Sequence, residues 1–143
     1  MKITLDELQN VARDIAMRIA VKKDGMAFLI TLHGELGAGK TTFVQALARE
    51  LGAGVPIKSP TFTLMKKYPI EFGEFMSFVH IDAYRLDGAA QFAALRPEEF
   101  LQDPGAIVCV EWPERVEGAL PKPDIALSFA HGEKENEREV IFE

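Results

Sequence analysis

The chain has 143 residues and a formal net charge of −6, with 48% hydrophobic and 27% charged residues. These values are ordinary for a globular protein, so they exclude a disordered or fibrous chain and predict a single domain over residues 1–143. The acidic balance also disfavours unaided binding to RNA or DNA, because an acidic surface repels a phosphate backbone.

The sequence predicts a cytoplasmic protein that makes no membrane contact. No stretch approaches the roughly 18 apolar residues that a membrane span needs. Lys2, Asp6 and Glu7 place charge at the N-terminus before any long apolar run, which is unlike a signal peptide. The single cysteine, Cys109, lies in an apolar run and is expected to be a small core residue.

The first half of the chain predicts a helix, a strand and a second helix. Thr4 and Glu7 have the spacing of a capping box, and later apolar residues recur at helical spacing, which predicts a helix over 5–22. The apolar run 27–33 is bounded by glycine and is typical of a strand buried on both faces. Residues 41–51 return to the helical period and stop before a glycine, which favours a second helix.

The middle of the chain has a different character. Residues 61–68 and 75–81 are rich in aromatic and β-branched side chains, and they flank the turn-rich segment 69–73. Two such runs on either side of a turn are typical of an antiparallel pair. We therefore predict two strands here, with the turn at 69–73.

The remainder predicts helical and extended segments in alternation. A helix is predicted over 88–101, with an interruption near Pro97. A second buried strand is predicted over 106–110, and 124–142 is typical of two strands joined by the charged loop 132–136.

One motif carries a specific chemistry. Residues 34–41 fit G-x-x-x-x-G-K-[ST] at every required position, after a predicted buried strand and at the start of a predicted helix. In that context, backbone N–H groups and the helix N-terminus cradle phosphates. Lys40 is predicted to reach the β- and γ-phosphates, Thr41 to bind magnesium, and Thr42 to approach the α-phosphate. The predicted nucleotide-binding residues are Gly34, Glu35, Leu36, Gly37, Ala38, Gly39, Lys40, Thr41 and Thr42.

Two acids end predicted strands and are the candidates for the rest of the site. Asp82 follows the apolar run Phe-Val-His-Ile, and Glu111 follows Ile-Val-Cys-Val. In a parallel sheet both would face the phosphate loop, where one carboxylate holds magnesium and one group positions water. Either acid could instead be merely solvated, and the residues alone leave the division of roles open. His80 alternates with Asp82 on the same strand face, so it either lies near the site or, as we expect, is a packed histidine. Trp112 either gates the site, contacts a partner or plugs the sheet edge.

The motifs taken in order resemble those of the TsaE (YjeE) family. These are LHGELGAGKTTF, KSPTFTLMKKYPI, HIDAYRL and VEWPE, spread over about residues 5–140. That family is the bacterial P-loop ATPase of tRNA threonylcarbamoyladenosine (t6A) biosynthesis. The resemblance implies an α/β fold of the P-loop NTPase type, with a central mixed sheet, flanking helices and some antiparallel strands.

The resemblance also implies an activity and partners. The protein would bind ATP with Mg²⁺, hydrolyse it slowly alone, and act on the TsaB–TsaD complex, which transfers the threonylcarbamoyl group to tRNA. Contact with tRNA would therefore be indirect. The implied catalytic residues are Lys40, Asp82 and Glu111, and the implied magnesium ligands are Thr41, Asp82 and Glu111. Further residues implied by the family are Leu5 and Arg138 in the nucleotide pocket, and Ser59, Thr61 and Trp112 as switch or partner-facing positions.

Other classes of P-loop protein remain as alternatives. A small-molecule kinase needs a mobile arginine-bearing lid, and the stretch 87–103 offers Arg96 but no clear lid pattern. A GTPase is disfavoured because the Asn-Lys-x-Asp segment of that class is absent. A nucleotide-gated interaction protein overlaps with the family role, and stimulation of hydrolysis by partner subunits would distinguish them.

Overall fold

The structure is a computed structural model that describes residues 2–21, 25–35, 37–54, 64–116 and 118–142. Seven strands in these ranges form one sheet: β1 (Lys2–Thr4), β2 (Phe28–Gly34), β3 (Met65–Phe72), β4 (Phe75–Asp82), β5 (Ala106–Glu111), β6 (Ile125–His131) and β7 (Glu137–Phe142). Their order across the sheet is β1-β7-β6-β2-β5-β4-β3.

Helices cover the sheet and connect its strands. They are α1 (Leu8–Ala20), α2 (Lys40–Glu50), α3 (Ala89–Ala93) and α4 (Glu98–Leu101), with 3₁₀ turns at Leu5–Glu7, Ala83–Arg85 and Pro113–Val116. The predicted α/β fold, with a central mixed sheet, flanking helices and some antiparallel strands, is therefore confirmed. None of the helices in the described ranges combines the length and apolar character that crossing a bilayer requires.

The centre of the sheet is parallel and is buried on both faces. β2 runs parallel to β5 and β6, and β5 runs parallel to β4. Alternate residues of β2 enter different cores: Ile30 packs with α1 and α2, whereas Leu29 packs with Phe92 of α3 and Phe100 of α4. This double burial explains why β2 and β5 have continuous apolar runs rather than alternating ones.

The parallel register places two acids side by side. Glu111, at the end of β5, pairs with Leu32 of β2 on one side and with Asp82 of β4 on the other. Carboxyl ends of parallel strands meet at one edge of a sheet, and ligands bind there in open α/β sheets. The fold thus brings both predicted acids to the edge from which the phosphate loop leaves β2.

The outer strands are antiparallel, and the structure corrects the prediction for one of them. β3 and β4 form the predicted antiparallel pair, but the predicted turn at 69–73 is wrong, because β3 continues to Phe72. Tyr68 and Ile70 are buried while Pro69 is exposed, so the burial alternates as in a strand. Pro69 is tolerated because β3 is an edge strand with an irregular register at this point.

The ends of the chain supply two further differences. The predicted first helix begins later than expected, since residues 5–7 form a 3₁₀ turn and α1 starts at Leu8. Glu7 accepts a hydrogen bond from the Thr4 N–H at 3.1 Å, as a capping box predicts. The preceding strand β1 was not predicted; it pairs antiparallel with β7, which with β6 forms the predicted C-terminal strand pair.

Candidate functional site

The phosphate loop connects β2 to α2, and glycine is required where the loop leaves the sheet. Gly34 has φ +139°, and a Cβ at this position would lie 2.3 Å from the backbone oxygen of Phe129 in β6. Gly39, which caps α2, has φ +103°. Any residue with a side chain would be strained at these two positions. The loop therefore has bare backbone where it leaves β2 and where it enters α2.

Helix α2 presents its N-terminus to the loop. It begins at Lys40, one residue earlier than predicted, and the Phe43 N–H donates to the Gly39 carbonyl at 2.9 Å. The N–H groups of Lys40, Thr41 and Thr42 precede this bond and belong to the first turn, whose donors have no carbonyl within the helix to bind. Such donors, together with the helix dipole, favour an anion at this position.

The Lys40 side chain is buried between the loop and an aromatic ring. Its ammonium donates to the Gly34 carbonyl and lies 3.7 Å from the centroid of the Trp112 ring. Burial lowers the pKa of Lys40, and this effect outweighs the nearby charges of Glu111, Glu114 and Asp82, which raise it. A phosphate would supply the compensating charge that this buried ammonium favours.

The Glu111 carboxylate lies at the centre of the site. It is buried, and its oxygens lie 3.4 and 3.5 Å from the Thr41 hydroxyl at the start of α2. One of those oxygens, Oε2, also lies 2.5 Å from Nε2 of His80. Glu111 therefore contacts the predicted magnesium ligand Thr41 on one side and the buried His80 on the other.

Asp82 occupies the neighbouring strand end in a more open setting. It is partly exposed, and its Oδ1 accepts a hydrogen bond from the Tyr84 N–H at 3.1 Å. Partial burial raises the pKa of Asp82, and the charge of Glu111 adds to the rise, against the opposing effect of the Tyr84 bond. The Asp82 carboxylate thus lines the pocket, and a cation placed there would stabilise its charged form.

Trp112 links the two strand ends. Its backbone has φ +59°, which is unusual for a residue with a bulky side chain. In this conformation the ring covers Lys40 on one side and contacts the Tyr84 ring, with 5.0 Å between the ring centroids. Arg115 lies 5.4 Å from the Tyr84 centroid, so cations and rings alternate from the loop lysine to the protein surface.

These residues surround one pocket of about 230 Å³. Its lining comprises Leu5, Gly37, Gly39, Lys40, Thr41, Thr42, Asp82, Glu111, Trp112 and Arg138. Leu5 and Arg138, which only the resemblance suggested, are brought to the loop from opposite ends of the chain. The Arg138 guanidinium donates to the Gly37 carbonyl at 3.3 Å and to the Glu137 carbonyl at 2.8 Å.

Several predicted positions are not part of this lining. Gly34, Glu35 and Ala38 belong to the loop but do not line the pocket. Leu36, Ser59 and Thr61 lie outside the described residues. For the latter three, the predicted roles stay predictions.

The structure also adds residues that the sequence reasoning underweighted. His80 is fully buried, as predicted for a packed histidine, and it is also bonded to Glu111. Tyr84 contacts Trp112, and Glu114 pairs with His33 at 3.0 Å beside the loop. The alternation of His80 with Asp82 indicates that both lie on one strand face. The hydrogen-bond partner of His80, Glu111, lies on the neighbouring strand and could not be identified from that alternation.

The oxygen atoms of the pocket are of the kind that would suit a magnesium ion shared with a phosphate. Within the described ranges there is no cluster of three or more His, Cys, Asp or Glu side chains able to hold a metal alone. Magnesium commonly binds one or two carboxylates and completes its shell with water and substrate phosphates. Thr41, Asp82 and Glu111 offer one hydroxyl and two carboxylates around the same pocket.

Comparison with protein families gives one match that covers nearly the whole chain. Residues 4–140 match the family described as "Threonylcarbamoyl adenosine biosynthesis protein TsaE". This range includes the phosphate loop, both strand-end acids and Trp112.

Individual relatives agree with this match. The chain is 33% identical to the tRNA threonylcarbamoyladenosine biosynthesis protein TsaE of Bacillus subtilis, over 80% of this chain and 68% of that protein. It is 30% identical to the Haemophilus influenzae protein of the same name, over 90% of this chain and 77% of that protein. The match to the Synechocystis protein is 45% identical but covers 62% of this chain and only 55% of that protein.

A solved structure has the same fold. The crystal structure of YdiB from Bacillus subtilis superposes with a TM-score of 0.69 at 29% sequence identity. The superposition covers 99% of this chain and 83% of that protein.

Proposed function

The chain belongs to the TsaE family of threonylcarbamoyl adenosine biosynthesis proteins, and from that membership and the site geometry we propose that it is a magnesium-dependent ATPase. Its hydrolysis would serve tRNA threonylcarbamoyladenosine formation through the TsaB–TsaD complex. The single observation that carries the proposal is the convergence of Lys40, Thr41, Asp82 and Glu111 on one pocket.

The binding step is proposed from the loop and Lys40. The first turn of α2 directs N–H donors toward the site of the phosphates, and Lys40 is within the same lining. In the structure the Lys40 ammonium bonds the Gly34 carbonyl and faces the Trp112 ring. Phosphate oxygens would compete for this ammonium, so nucleotide binding would draw Lys40 away from Trp112.

The division of roles between the acids follows from their surroundings. Glu111 lies beside Thr41, so it is placed to hold the magnesium shell with that hydroxyl or to accept a proton from the attacking water. Asp82 ends β4, which β5 separates from β2, and it is more exposed than Glu111, which suits an outer magnesium contact. When bound, Mg²⁺ would neutralise charge that develops on the phosphate oxygens.

A lysine substitution tests the proposal. The measurement is steady-state ATP hydrolysis with Mg²⁺ for the wild-type chain and Lys40→Ala, each with and without purified TsaB–TsaD. We expect the partners to raise turnover of the wild type, and Lys40→Ala to lose at least about 100-fold, because it removes a positioned charge at the phosphates. Lys66→Ala is the matched control, since Lys66 lies 6.0 Å from the Tyr68 ring on edge strand β3, and it should leave the turnover of the isolated protein unchanged.

Two results would contradict parts of the proposal. Equal hydrolysis by wild type and Lys40→Ala would remove the pocket as the site of ATP turnover. Tight nucleotide binding without any stimulation by TsaB–TsaD would contradict the partner assignment and favour the kinase alternative. A screen of small metabolites for phosphorylation would then test the kinase alternative. Arg96, in the region where a kinase would carry its lid arginine, pairs with Glu99 at 3.6 Å on the surface.

A further inference from the structure

His80 and Glu111 form a buried pair on adjacent parallel strands. Their side chains are 0% and 4% exposed, and Nε2 of His80 lies 2.5 Å from Oε2 of Glu111. His80 pairs in register with Cys109 and lies two residues before Asp82 on β4. It therefore contacts Glu111 from inside the sheet and is not itself part of the pocket lining.

The surroundings of the ring determine which nitrogen carries the proton. Nδ1 of His80 is buried and has no hydrogen-bond partner among the described residues. A hydrogen on Nδ1 would leave a buried donor unsatisfied and would point the Nε2 lone pair at a carboxylate. A hydrogen on Nε2 instead is donated to Glu111 and leaves only the Nδ1 lone pair without a partner.

This bond restricts a side chain that would otherwise rotate. The terminal torsion of a glutamate has a broad energy profile, so burial alone leaves the carboxylate plane poorly defined. Donation from His80 fixes Oε2, and the carboxylate keeps further lone pairs for Thr41 and the pocket. No comparable side-chain donor to Asp82 is found among the described residues, and its Oδ1 accepts from the backbone N–H of Tyr84 instead.

We propose that His80 is a positioning residue that orients the Glu111 carboxylate toward Thr41 and the attacking water. The proposal rests on the ATPase function proposed above and adds to it the reason that a histidine occupies this buried position. A histidine that merely fills space could be replaced by any side chain of similar volume. A positioning histidine requires a donor at the reach of Nε2.

Three substitutions separate these roles. In His80→Gln the amide nitrogen has the reach of Nε2, in His80→Asn it has only the reach of Nδ1, and His80→Leu offers no donor. With Mg-ATP and TsaB–TsaD, we expect His80→Asn and His80→Leu to lower kcat by about 10- to 100-fold, the range seen for residues that orient metal-site ligands. The KM for ATP should change by less than about threefold, because the phosphate loop is intact. His80→Gln should recover most of kcat.

A second buried polar residue of β4 provides the control for general damage to the strand. Ser77 is buried, and its hydroxyl has no partner among the described residues. Ser77→Ala should leave kcat unchanged, and thermal unfolding should show that all four variants are folded. Equal kcat for His80→Gln, His80→Asn and His80→Leu would overturn the positioning role.

A measurement on the isolated protein without nucleotide tests the pair independently of activity. Long-range ¹⁵N–¹H correlation spectra distinguish the two neutral tautomers of histidine. We expect the Nε2–H form for His80, and the Nδ1–H form would overturn the proposal. If the wild type shows no turnover even with its partners, the proposed function fails together with this role. If the wild type turns over normally and the His80 variants do too, only the positioning role fails.

Discussion

The ends of β4 and β5 carry the same kind of residue in different surroundings. Asp82 and Glu111 are paired in register, and both line the pocket. Glu111 is buried, bonded to His80 and close to Thr41, whereas Asp82 is partly exposed and bonded to a backbone N–H. The two acids at equivalent strand ends therefore differ in burial and in the contacts that fix their carboxylates.

The difference has a structural origin. β5 lies between β2 and β4, so its last residue is enclosed by both neighbours and by the start of α2. β4 lies next to the edge strand β3, and its last residue leads directly into a 3₁₀ turn. A fixed carboxylate suits a step that needs defined geometry, while a more open one suits a contact that forms only when a ligand arrives.

The largest effect expected from this comparison follows substitution of the enclosed acid. Glu111→Gln should keep nucleotide binding within about threefold and lower ATP hydrolysis by about 100- to 1000-fold, because an amide neither accepts the water proton nor compensates a cation. Isothermal titration calorimetry and steady-state hydrolysis measure the two properties. Normal turnover by this variant would show that Glu111 is not the catalytic carboxylate.

The control for that substitution is the next acid along the chain. Glu114 pairs with His33 at 3.0 Å and is exposed. Glu114→Gln should alter hydrolysis by less than about fivefold, because solvent-exposed ion pairs contribute little. A large loss here would indicate that charge near Lys40, rather than the enclosed position of Glu111, controls the reaction.

An intermediate effect should follow removal of the aromatic contact between the two strand ends. Trp112→Ala removes the ring that contacts both Lys40 and Tyr84. An aromatic pair contributes roughly 0.5–1.5 kcal/mol, so we expect turnover stimulated by TsaB–TsaD to fall by about 2- to 10-fold. ATP affinity should change less, because the loop donors remain. Equal losses of binding and turnover would mean that Trp112 only packs the pocket.

The smallest effect concerns the open acid and the stability of the protein without magnesium. Because the pKa of Asp82 is raised in the folded state, its charged form opposes folding above that pKa, and the cost is absent below the unfolded pKa of about 4. Asp82→Asn should therefore raise the melting temperature at pH 7 in EDTA, and the gain should vanish as the pH falls toward 3.

A second turn with the same type of hydrogen bond serves as the control for the Asp82 substitution. Asp103 also accepts a hydrogen bond from an N–H two residues later, that of Gly105 at 2.8 Å. Comparing Asp103→Asn with Asp82→Asn separates loss of a turn carboxylate from loss of a pocket carboxylate. A lower melting temperature for Asp82→Asn at pH 7 would contradict the assigned cost of its charge.

Much of the site was accessible from local patterns. The phosphate loop was predicted because its glycines, Lys40 and Thr41 are contiguous and lie between a buried strand and a helix. Asp82 and Glu111 were predicted because each ends an apolar run. Confirmation of the parallel β4–β5 pairing shows why this reasoning placed both acids at one sheet edge.

Other features depend on contacts that no local pattern encodes. The turn at 69–73 was misplaced, because Pro69 and its neighbours are residues typical of turns. In the structure, Tyr68 and Ile70 are buried as alternating residues of strand β3. Strand β1 was missed, because its three residues are extended only through pairing with β7. The role of His80 was underestimated, because its partner lies 31 residues away on another strand.

By itself, the sequence determined the chemistry that contiguous residues can specify: a phosphate-binding loop, two helices and acids that terminate buried strands. The tertiary structure alone decided which acid is enclosed and which nitrogen of His80 meets it, and it brings Leu5 and Arg138, which the family resemblance implied, to the same pocket. The physical reason is that burial and hydrogen bonding depend on strand order and register. Those are set by packing of the whole chain rather than by any single segment.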